Sequence, residues 1–479
     1  MPARLLHYSD VENAFDDPER IGRLAGLLTD LDGDDAVVVG SGDNTAPGVL
    51  SLVTEGRHSL PFFEAVGAEF DTFGNHDFDY GPDATRALVA DSPQTWLTAN
   101  VHETDCTAYD GATDGGDAPA GTADAPYFAA EHTEPWVVRD VDGVRVGFFG
   151  VTTPATNSIN PNATDVGFAD PISAGVRAAE ACRDAGAEYV VAVSHLGTDD
   201  DDLAVAADVD VVLGGHVHSE VVERVNGAVL LRPGVNGHVA YEVELAELGD
   251  DGDGKRVDVT RHVAADAPVH EGVAEAMRDQ MRAADLDEVV AHVADPIERS
   301  HTAAFRGESR IGNFVADAYR WATGADVGLQ NSGGVREGDP LEGEVTIADV
   351  MSVVPFQEPV ATAELTGAEL RETVRQASGA NLAFGEPDWW HAHLSGASVV
   401  WDRERDEIVA LRVDGEPVDD DATYTLATTD YLFHTDHEFP ALDADHRLDV
   451  GDVQYEVLAA YARENGLDPR LEGRVAWSD

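Results

Sequence analysis

The chain has 479 residues, 43% of them hydrophobic, so it is long enough for two or three domains with a sizeable core. Its 92 Asp and Glu residues outnumber 30 Lys and Arg, which gives a formal net charge of −62 at pH 7. This charge argues against nucleic acid as a partner, because binding the phosphate backbone relies on Lys and Arg. We expect a folded, halophilic protein whose stability rises with added KCl, because salt shortens the range of self-repulsion.

No segment of the sequence predicts contact with a membrane. The N-terminal residues include no basic stretch followed by a long apolar run, and no run approaches the ~20 apolar residues of a membrane span. Cys106 and Cys182 are the only cysteines, so no disulfide framework is expected. We therefore expect a cytoplasmic protein that is a monomer or a homodimer.

β-like runs alternate with helical stretches through the first half, which predicts an α/β fold with a helix-covered sheet. The candidate strands are "ARLLHYS", "AVVVGSG", "FDTFGN", "RVGFFGV", "YVVAVSH" and "VDVVLGGH". Residues 102–125, rich in Gly, Ala and Asp, predict a surface insertion, and residues 249–256 predict a turn between two strands. A connecting helix is expected over residues 270–293. It lies in a linker, 267–297, between a first domain, 1–266, and a mixed α+β domain, 298–479.

Polar side chains follow most of these candidate strands. Because loops at strand ends can bring together side chains from distant parts of a sequence, we expect them to converge. Carboxylates, an amide and neutral imidazoles are the ligands that a pair of divalent cations needs. Two such ions can clamp a phosphoryl oxygen and lower the pKa of a bridging water, which yields a hydroxide nucleophile. The predicted reaction is therefore phosphoester hydrolysis, by a cluster of Asp10, Glu12, Asp43, Asn75, His76, His195, His216 and His218.

The blocks "GDN", "GNHDFD", "SHLG" and "GGHVH", in this order, resemble those of the calcineurin-like binuclear metallophosphoesterases. Together with "NSGGVR" in the second half, they resemble the 5′-nucleotidase and UDP-sugar hydrolase family over nearly the whole chain. This resemblance implies a four-layer αββα sandwich followed by an α+β substrate-binding domain. It also implies hydrolysis of nucleoside 5′-monophosphates by a metal-bound hydroxide. The alternatives are 2′,3′-cyclic nucleotides or UDP-sugars as substrates, or a nucleotide-binding protein with impaired catalysis.

The resemblance assigns a role to each residue of the predicted centre. His76 would be the catalytic histidine, oriented by Asp79, and would stabilise charge on the phosphoryl group or assist the leaving oxygen. The family ligands correspond to Asp10, Glu12, Asp43 and His218 for one metal, and to Asp43, Asn75, His195 and His216 for the other, with Asp43 as the bridge.

Glu12 departs from the family pattern, which has histidine at this position. A carboxylate adds a negative charge beside Asp10 and Asp43, and oxygen donors favour harder ions. We therefore expect Mn²⁺ to be preferred over Zn²⁺ at the first position, with Co²⁺ and Mg²⁺ as further candidates. In one alternative Glu12 faces solvent, and a water or Asn13 completes the shell; in another the first metal is lost.

In the second half, the resemblance implies a site for the nucleoside. An arginine in this site can form charge-assisted hydrogen bonds with substrate oxygens, and two aromatic rings would enclose the base. Phe356 is expected to be the first ring, and Tyr431 is preferred over Phe433 as the second. The segment "HTDHEF" replaces the family's Gly-Gly-Asp-Gly turn, so the loop should differ in shape and the role of Asp436 is open. The substrate-contacting residues are predicted to be Asn331, Arg336, Phe356, Tyr431 and Arg306, whereas structural roles are expected for His7, His58, His102, His238, His391 and His393.

Overall fold

The computed structural model describes residues 2–33, 36–103, 126–247, 255–382, 386, 388–435 and 437–478. It divides into two compact units, Met1–Ala284 and Asp285–Asp479. The division falls inside the segment predicted to be a linker. Most of the predicted insertion at 102–125, most of the predicted turn at 249–256, and Asp436 lie outside the described residues.

The strands of the first unit form two large mixed sheets. Within the described ranges, one has seven strands in the order β15-β14-β1-β2-β3-β4-β6, and the other has six in the order β12-β13-β11-β10-β8-β7. The inner strands of both sheets are parallel, and every candidate strand of the sequence is confirmed. The strands are β1 Ala3–Tyr8, β2 Ala36–Gly40, β3 Ala68–Thr72, β4 Thr95–Leu97, β5 Val101–Glu103, β6 Thr133–Glu134, β7 Trp136–Val141, β8 Val144–Thr152, β9 Val166–Phe168, β10 Tyr189–His195, β11 Val211–Gly214, β12 Glu220–Val225, β13 Ala228–Pro233, β14 Val239–Glu247 and β15 Lys255–Val263.

The two sheets pack face to face, and helices cover their outer faces. Leu5, Phe70, Phe148 and Val191 lie in the core between the sheets. The alternate residues of β8 and β10 face outward and pack on α6 and α7, so both faces of these strands are apolar. This arrangement confirms the four-layer αββα sandwich. The helices are α1 Pro18–Leu31, α2 Val49–Thr54, α3 Leu60–Val66, α4 Gly81–Asp91, α5 Thr156–Ile159, α6 Pro171–Asp184, α7 Asp200–Ala207 and α8 Glu271–Ala283.

The predicted helix over residues 270–293 is wrong in its second half. The helix α8 ends at Ala283 and packs against α1 within the first unit. Residues Val289–Arg299 instead form strand β16 of the second unit, paired with Gly338–Thr346. The physical reason is the run of β-branched residues at its start, which favours a strand although the preceding composition is helical.

The second unit has the mixed α+β organisation that was expected. Its largest sheet in the described residues has five strands, in the order β20-β17-β24-β19-β25, and a smaller one has the order β23-β22-β21-β26. No helix in the described part of the chain combines the length and apolarity of a membrane span. The elements are β16 Val289–Arg299, α9 His301–Phe305, α10 Arg310–Thr323, β17 Val327–Asn331, β18 Gly338–Thr346, α11 Ile347–Met351, β19 Pro359–Thr366, α12 Gly367–Arg375, β20 Ala392–Ser395, β21 Ala397–Asp402, β22 Glu407–Val413, β23 Glu416–Pro417, β24 Thr423–Thr429, β25 Arg447–Val453, α13 Gln454–Asn465 and β26 Val475–Ser478.

Candidate metal centre and substrate-binding residues

Loops at the carboxyl ends of the first unit's parallel strands bring the predicted ligands together. The backbone N–H of His216, after β11, donates to Asp10 Oδ1 at 3.1 Å, after β1. The backbone N–H of His76, after β3, donates to Asp43 Oδ1 at 2.7 Å, after β2. His195, the last residue of β10, places Nε2 at 3.0 Å from Asp43 Oδ2. Strands from both sheets therefore contribute to one buried cluster.

Two groups of ligand atoms are close enough to hold a cation each. Within each group the candidate atoms lie within 4.8 Å of one another. Each group contains three of the four ligands predicted for one metal. Asp43 is missing from the first group, and Asn75 is missing from the second. One group is Asp10, Glu12 and His218, and the other is Asp43, His195 and His216.

The donor atoms of this cluster fit divalent cations. Asn75 Oδ1 is buried and accepts no hydrogen bond in the described structure, although an amide oxygen without a partner is unfavourable. Glu12 Oε1 likewise accepts none, although His218 Nε2 lies only 3.0 Å away. This close approach without hydrogen-bond geometry is expected of two ligands directed at one ion. His195 Nδ1 donates to Ser41 O at 2.8 Å, so Nε2, which faces Asp43, is the nitrogen that could bind a metal.

The field in the cluster is strongly negative. Burial alone would lower the pKa of His195, but the charge of Asp43 and its hydrogen bond raise it to about 10. Burial would raise the pKa of Asp43, but His195 and His76 lower it to about 2. Burial raises the pKa of Asp10 to about 7, a rise that His195 opposes and the nearby Asp43 reinforces. A divalent cation would supply the positive charge that the proton on His195 otherwise supplies.

Glu12 points into the cluster rather than away from it. Its side chain is 6% exposed and faces His218, whereas Asn13 is exposed. The alternative in which Glu12 faces solvent and Asn13 or a water replaces it does not match this placement. The carboxylate is therefore placed where it could hold an ion together with Asp10 and His218.

Several residues of the cluster have left-handed backbone conformations. The φ angles are +49° for Asp10, +44° for Glu12, +52° for Asp43 and +71° for His216. Residues other than Gly uncommonly adopt this region, although Asn, Asp and His do so more often than the rest, and each instance costs about 1–3 kcal/mol. Such strain persists where the surrounding structure imposes it, and here it directs side chains from the strand ends towards one point.

His76 lies beside the ligands, with its imidazole oriented by a carboxylate. Its Nδ1 lies 3.0 Å and 3.2 Å from the two oxygens of Asp79, and its side chain is 37% exposed. Burial alone would lower the pKa of His76, but Asp43 and Asp79 raise it to about 10. Asp79 thus contacts Nδ1, as expected of a carboxylate that orients the imidazole, and Nε2 is directed away from Asp79.

Two further residues, not identified from the sequence, hold the predicted ones in place. Asp77 Oδ2 accepts hydrogen bonds from the backbone N–H groups of Asp43 at 3.0 Å and Gly74 at 2.7 Å. Asn160 Nδ2 donates to Asn75 O at 2.7 Å and to Asp79 Oδ1 at 2.9 Å. Asp77 lies within the quoted "GNHDFD" block, so the sequence could have indicated its importance. Asn160 lies in a loop remote in sequence, and no motif marks it.

In the second unit, Arg336 and Phe356 are brought together. The Arg336 guanidinium carbon lies 4.9 Å from the centre of the Phe356 ring, at a cation–π distance, and Phe356 is half-buried. Arg306 forms an ion pair with Asp388 instead of standing free. The predicted arginine and first aromatic ring therefore form one surface.

Asn331 and Tyr431 are joined by a residue that the sequence did not single out. Both donate to the carboxylate of Glu438, at 2.7 Å and 3.3 Å. Tyr431 is 41% exposed, whereas Phe433 is 4% exposed and packs in the core. Phe433 is therefore wrong as the reserve for the second ring, because it has no free face.

The comparisons with known proteins agree with this organisation. Residues 289–444 match the family model of the 5′-nucleotidase C-terminal domain. The 5′-nucleotidase precursor from Thermus thermophilus superposes with a TM-score of 0.72 and 21% identity, covering 100% of this chain and 99% of that chain. The chain therefore has the fold of this 5′-nucleotidase, and its residues 289–444 match the C-terminal domain of that family. The matched structures share the two-unit fold, a metallophosphoesterase unit followed by a nucleotidase C-terminal unit.

Two curated relatives are longer than the chain itself. Endonuclease YhcR of Bacillus subtilis (strain 168) is 25% identical over 413 residues, which cover 80% of this chain and 31% of the relative. Trifunctional nucleotide phosphoesterase protein YfkN of the same strain is 22% identical over 515 residues, covering 98% of this chain and 34% of the relative. The chain thus spans about a third of the length of these two relatives.

Proposed function

We propose that this protein is a metal-dependent phosphohydrolase that releases phosphate from nucleoside 5′-monophosphates. The observation that carries the proposal is a pair of clusters, Asp10–Glu12–His218 and Asp43–His195–His216. Within each cluster the donor atoms lie within 4.8 Å of one another. A nucleotidase C-terminal domain in the same chain supports nucleotides as the substrate class.

Two divalent cations fit the first unit. One would be held by Asp10, Glu12, His218 and the shared Asp43, and the other by Asp43, Asn75, His195 and His216. When bound, such ions polarise phosphoryl oxygens and lower the pKa of a water that can then attack phosphorus. The carboxylate of Glu12 favours Mn²⁺ over Zn²⁺ in the first position, because oxygen donors prefer harder ions.

His76 would act on the phosphoryl group directly. Asp79 accepts the hydrogen bond of Nδ1–H, so Nε2 carries the second proton of the imidazolium and can face the substrate. A protonated Nε2 stabilises negative charge on the transferring phosphoryl group, or gives its proton to the leaving oxygen. Asn160 donates to both Asp79 and the backbone carbonyl of Asn75, which holds Asp79 in position for this role.

The second unit would bind the nucleoside. Phe356 offers an aromatic surface for the base, and Arg336, at 4.9 Å from that ring, offers hydrogen bonds to substrate oxygens. Tyr431 is the second aromatic candidate, with 41% of its surface exposed. Nucleic acid is not expected as a substrate, because a net charge of −62 repels the phosphate backbone.

A phosphate-release panel tests the proposal. Purified protein in concentrated KCl is incubated with AMP and other 5′-monophosphates, 2′,3′-cyclic nucleotides and UDP-glucose, each with Mn²⁺, Zn²⁺, Co²⁺ or Mg²⁺. We expect the highest kcat/KM with a 5′-monophosphate and Mn²⁺. A preference for cyclic nucleotides or UDP-glucose would replace the substrate assignment. Tight nucleotide binding without turnover, in protein that holds about two ions per chain, would refute hydrolysis.

A further inference from the structure

A buried ion pair packs against the loops that carry His195 and His216. Arg232 lies on β13, Asp200 is the first residue of α7, and Arg232 Nε donates to Asp200 Oδ2 at 3.0 Å. The Asp200 side chain is 0% exposed and that of Arg232 is 8% exposed. Burial costs both charges their hydration, so such a pair is often no more stabilising than apolar side chains of the same volume. Stability alone therefore does not account for an ion pair at this position.

The pair holds the chain on both sides of His195. Ser194 Oγ donates to Asp200 Oδ1 at 2.6 Å, and Arg232 Nη2 donates to Gly197 O at 2.6 Å. Ser194 directly precedes His195, and Gly197 follows it by two residues. Both hydrogen bonds involve a charged group, which makes them stronger than bonds between neutral groups. The backbone around His195 therefore cannot shift without breaking one of them.

His216 contacts the same segment through Gly197. The φ angle of Gly197 is +67°, and a Cβ atom added to it would lie 3.0 Å from His216 Cδ2, so its backbone packs closely on the imidazole. Gly214, two residues before His216, leaves space for the ion pair. A Cβ atom on Gly214 would lie 2.6 Å from Asp200 Oδ2 and 3.1 Å from Arg232 Cγ. A shift of Gly197 or of the ion pair would therefore reach His216 directly.

We propose that Arg232 and Asp200 are positioning residues that keep His195 and His216 at the separation needed to bind the second cation. The two imidazole centroids lie 5.1 Å apart. The hydrogen bonds of the pair reach the segment around His195, whereas Asp10, a predicted ligand of the first cation, follows β1 of the other sheet. Loss of the pair should therefore weaken binding of the second cation more than that of the first. This role rests on the proposed function for the presence of two ions.

Substitution of both members separates this role from stability. Asp200→Asn combined with Arg232→Met removes the two charges together, so no unpaired charge remains buried. The amide oxygen introduced at position 200 can still accept from Ser194, but the hydrogen bond to Gly197 O is lost. Arg232→Lys keeps a positive charge beside Asp200, but one ammonium group replaces the two guanidinium nitrogens that bond Asp200 and Gly197. This single variant should therefore show a smaller effect.

The matched control is a second ion pair of the first unit. Arg4 Nε donates to Glu242 Oε1 at 2.6 Å and Arg4 Nη2 donates to Leu31 O at 2.9 Å, so this arginine also joins a carboxylate and a backbone carbonyl. The Arg4 side chain is 17% exposed and that of Glu242 is 13% exposed. Arg4 lies near the start of β1, whereas Asp10 follows the end of that strand. Glu242→Gln combined with Arg4→Met should leave both ions bound as in the unmodified protein.

Binding of Mn²⁺ to the metal-free full chain tests the pair. The affinity is measured by chelator competition in concentrated KCl, without substrate, and the unmodified protein and the control should bind two ions. The double variant of Asp200 and Arg232 should bind one ion with unchanged affinity and the other about 10- to 100-fold more weakly, as for other residues that orient ligands. Urea unfolding of the metal-free proteins should give similar free energies of unfolding for this double variant and the control.

Co²⁺ in place of Mn²⁺ identifies the weakened ion. His195 is 0% exposed and its Nδ1 donates to Ser41 O at 2.8 Å, so this N–H proton should exchange slowly with water. A paramagnetic Co²⁺ at Nε2 of the same ring would move the NMR signal of the proton far outside its usual range. At a Co²⁺ concentration that fills both positions of the unmodified protein, the shifted signal should be weak in the double variant. A full signal in a variant that has lost one ion would place the loss at the first position and overturn the proposal.

The remaining outcomes also decide the matter. Equal weakening of both ions, no weakening, or the same loss in the control would each overturn the proposal. If circular dichroism shows that the double variant does not fold, Arg232→Lys carries the test, and unchanged binding of both ions in that variant would overturn it. Selective loss of one ion in a protein that releases no phosphate from nucleotides would support the positioning role and refute the hydrolase. An unmodified protein that binds no ions would overturn both.

Discussion

Glu12 Oε1 lies 3.0 Å from His218 Nε2, and the two atoms do not form a hydrogen bond. Both side chains point at the same space, together with Asp10. Glu12 is therefore the second carboxylate of this cluster, and the charge that it adds bears directly on the choice of ion.

Replacing Glu12 by His should change the preferred metal. An imidazole removes one negative charge and one hard oxygen donor, so the ratio of kcat/KM with Zn²⁺ to that with Mn²⁺ should rise by about tenfold or more. Asn13→His is the matched control, because the neighbouring residue is exposed. The measurement is phosphate release by metal-free protein reloaded with each ion. Equal ratios in Glu12→His, Asn13→His and unmodified protein would mean that Glu12 is not a ligand.

His76→Gln should abolish most turnover while leaving the metals in place. Loss of a positioned acid lowers kcat by about 10²- to 10⁴-fold. Metal content by elemental analysis should stay near that of the unmodified protein, because Nδ1 of His76 is occupied by Asp79. The exposed His132 offers a control, His132→Gln, with unchanged kcat. A parallel loss of bound metal would instead identify His76 as a ligand.

Asp77→Asn should weaken metal binding without removing a ligand. The carboxylate accepts N–H bonds from Asp43 and Gly74, and an amide at this position would turn a donor towards one of these groups. Affinity for Mn²⁺, measured by chelator competition, should fall about 10- to 100-fold, as for other residues that orient ligands. Asp83→Asn, an exposed acid on the same segment, serves as the control. Unchanged affinity in Asp77→Asn would restrict Asp77 to a structural role.

Acid should destabilise the first unit through His58. Burial, in contact with Phe15, lowers the pKa of His58 to about 3, whereas a histidine in an unfolded chain titrates near its ordinary pKa of 6.5. Between these values the unfolded chain binds the extra proton, so the free energy of unfolding falls as the pH drops below 6.5. The contribution is about 1.4 kcal/mol per pH unit.

Urea unfolding at pH 7, 6 and 5 in fixed KCl measures this effect. His58→Gln retains a polar partner for Thr54 but cannot titrate. The slope of its unfolding free energy against pH should therefore be smaller, by up to the amount that one bound proton contributes. His132→Gln should keep the slope of the unmodified protein. Identical slopes in all three proteins would contradict the assignment to His58.

The fold and the metal cluster could be predicted largely because their signals are local. Each ligand follows a short apolar strand, and parallel strands bring their carboxyl ends to one edge, so Asp10, Asp43 and His195 converge once the strands are recognised. The end of α8 was misjudged because helical composition continues into residues that pair with β18. Sheet pairing, a non-local interaction, decided that boundary.

The positions that could not be predicted depend on contacts between remote segments. Asn160 meets Asn75 across 85 residues, and Glu438 meets Asn331 across 107. Nothing in the composition of either loop indicates its partner. His391 was expected to be an ordinary structural histidine. It is fully buried, and its Nε2 also contacts Glu438 Oε2, a partner that a single sequence does not indicate.

The left-handed backbone at Asp10, Glu12, Asp43 and His216 also limits how this centre can drift during evolution. A β-branched replacement would add steric strain to the loss of a ligand, whereas unbranched polar residues avoid the former. Histidine and glutamate at position 12 are both of this kind. If residue 12 holds the ion, as proposed, exchange between them would change the preferred metal and leave the backbone the same. The centre could then follow metal supply in single steps without rebuilding its loops.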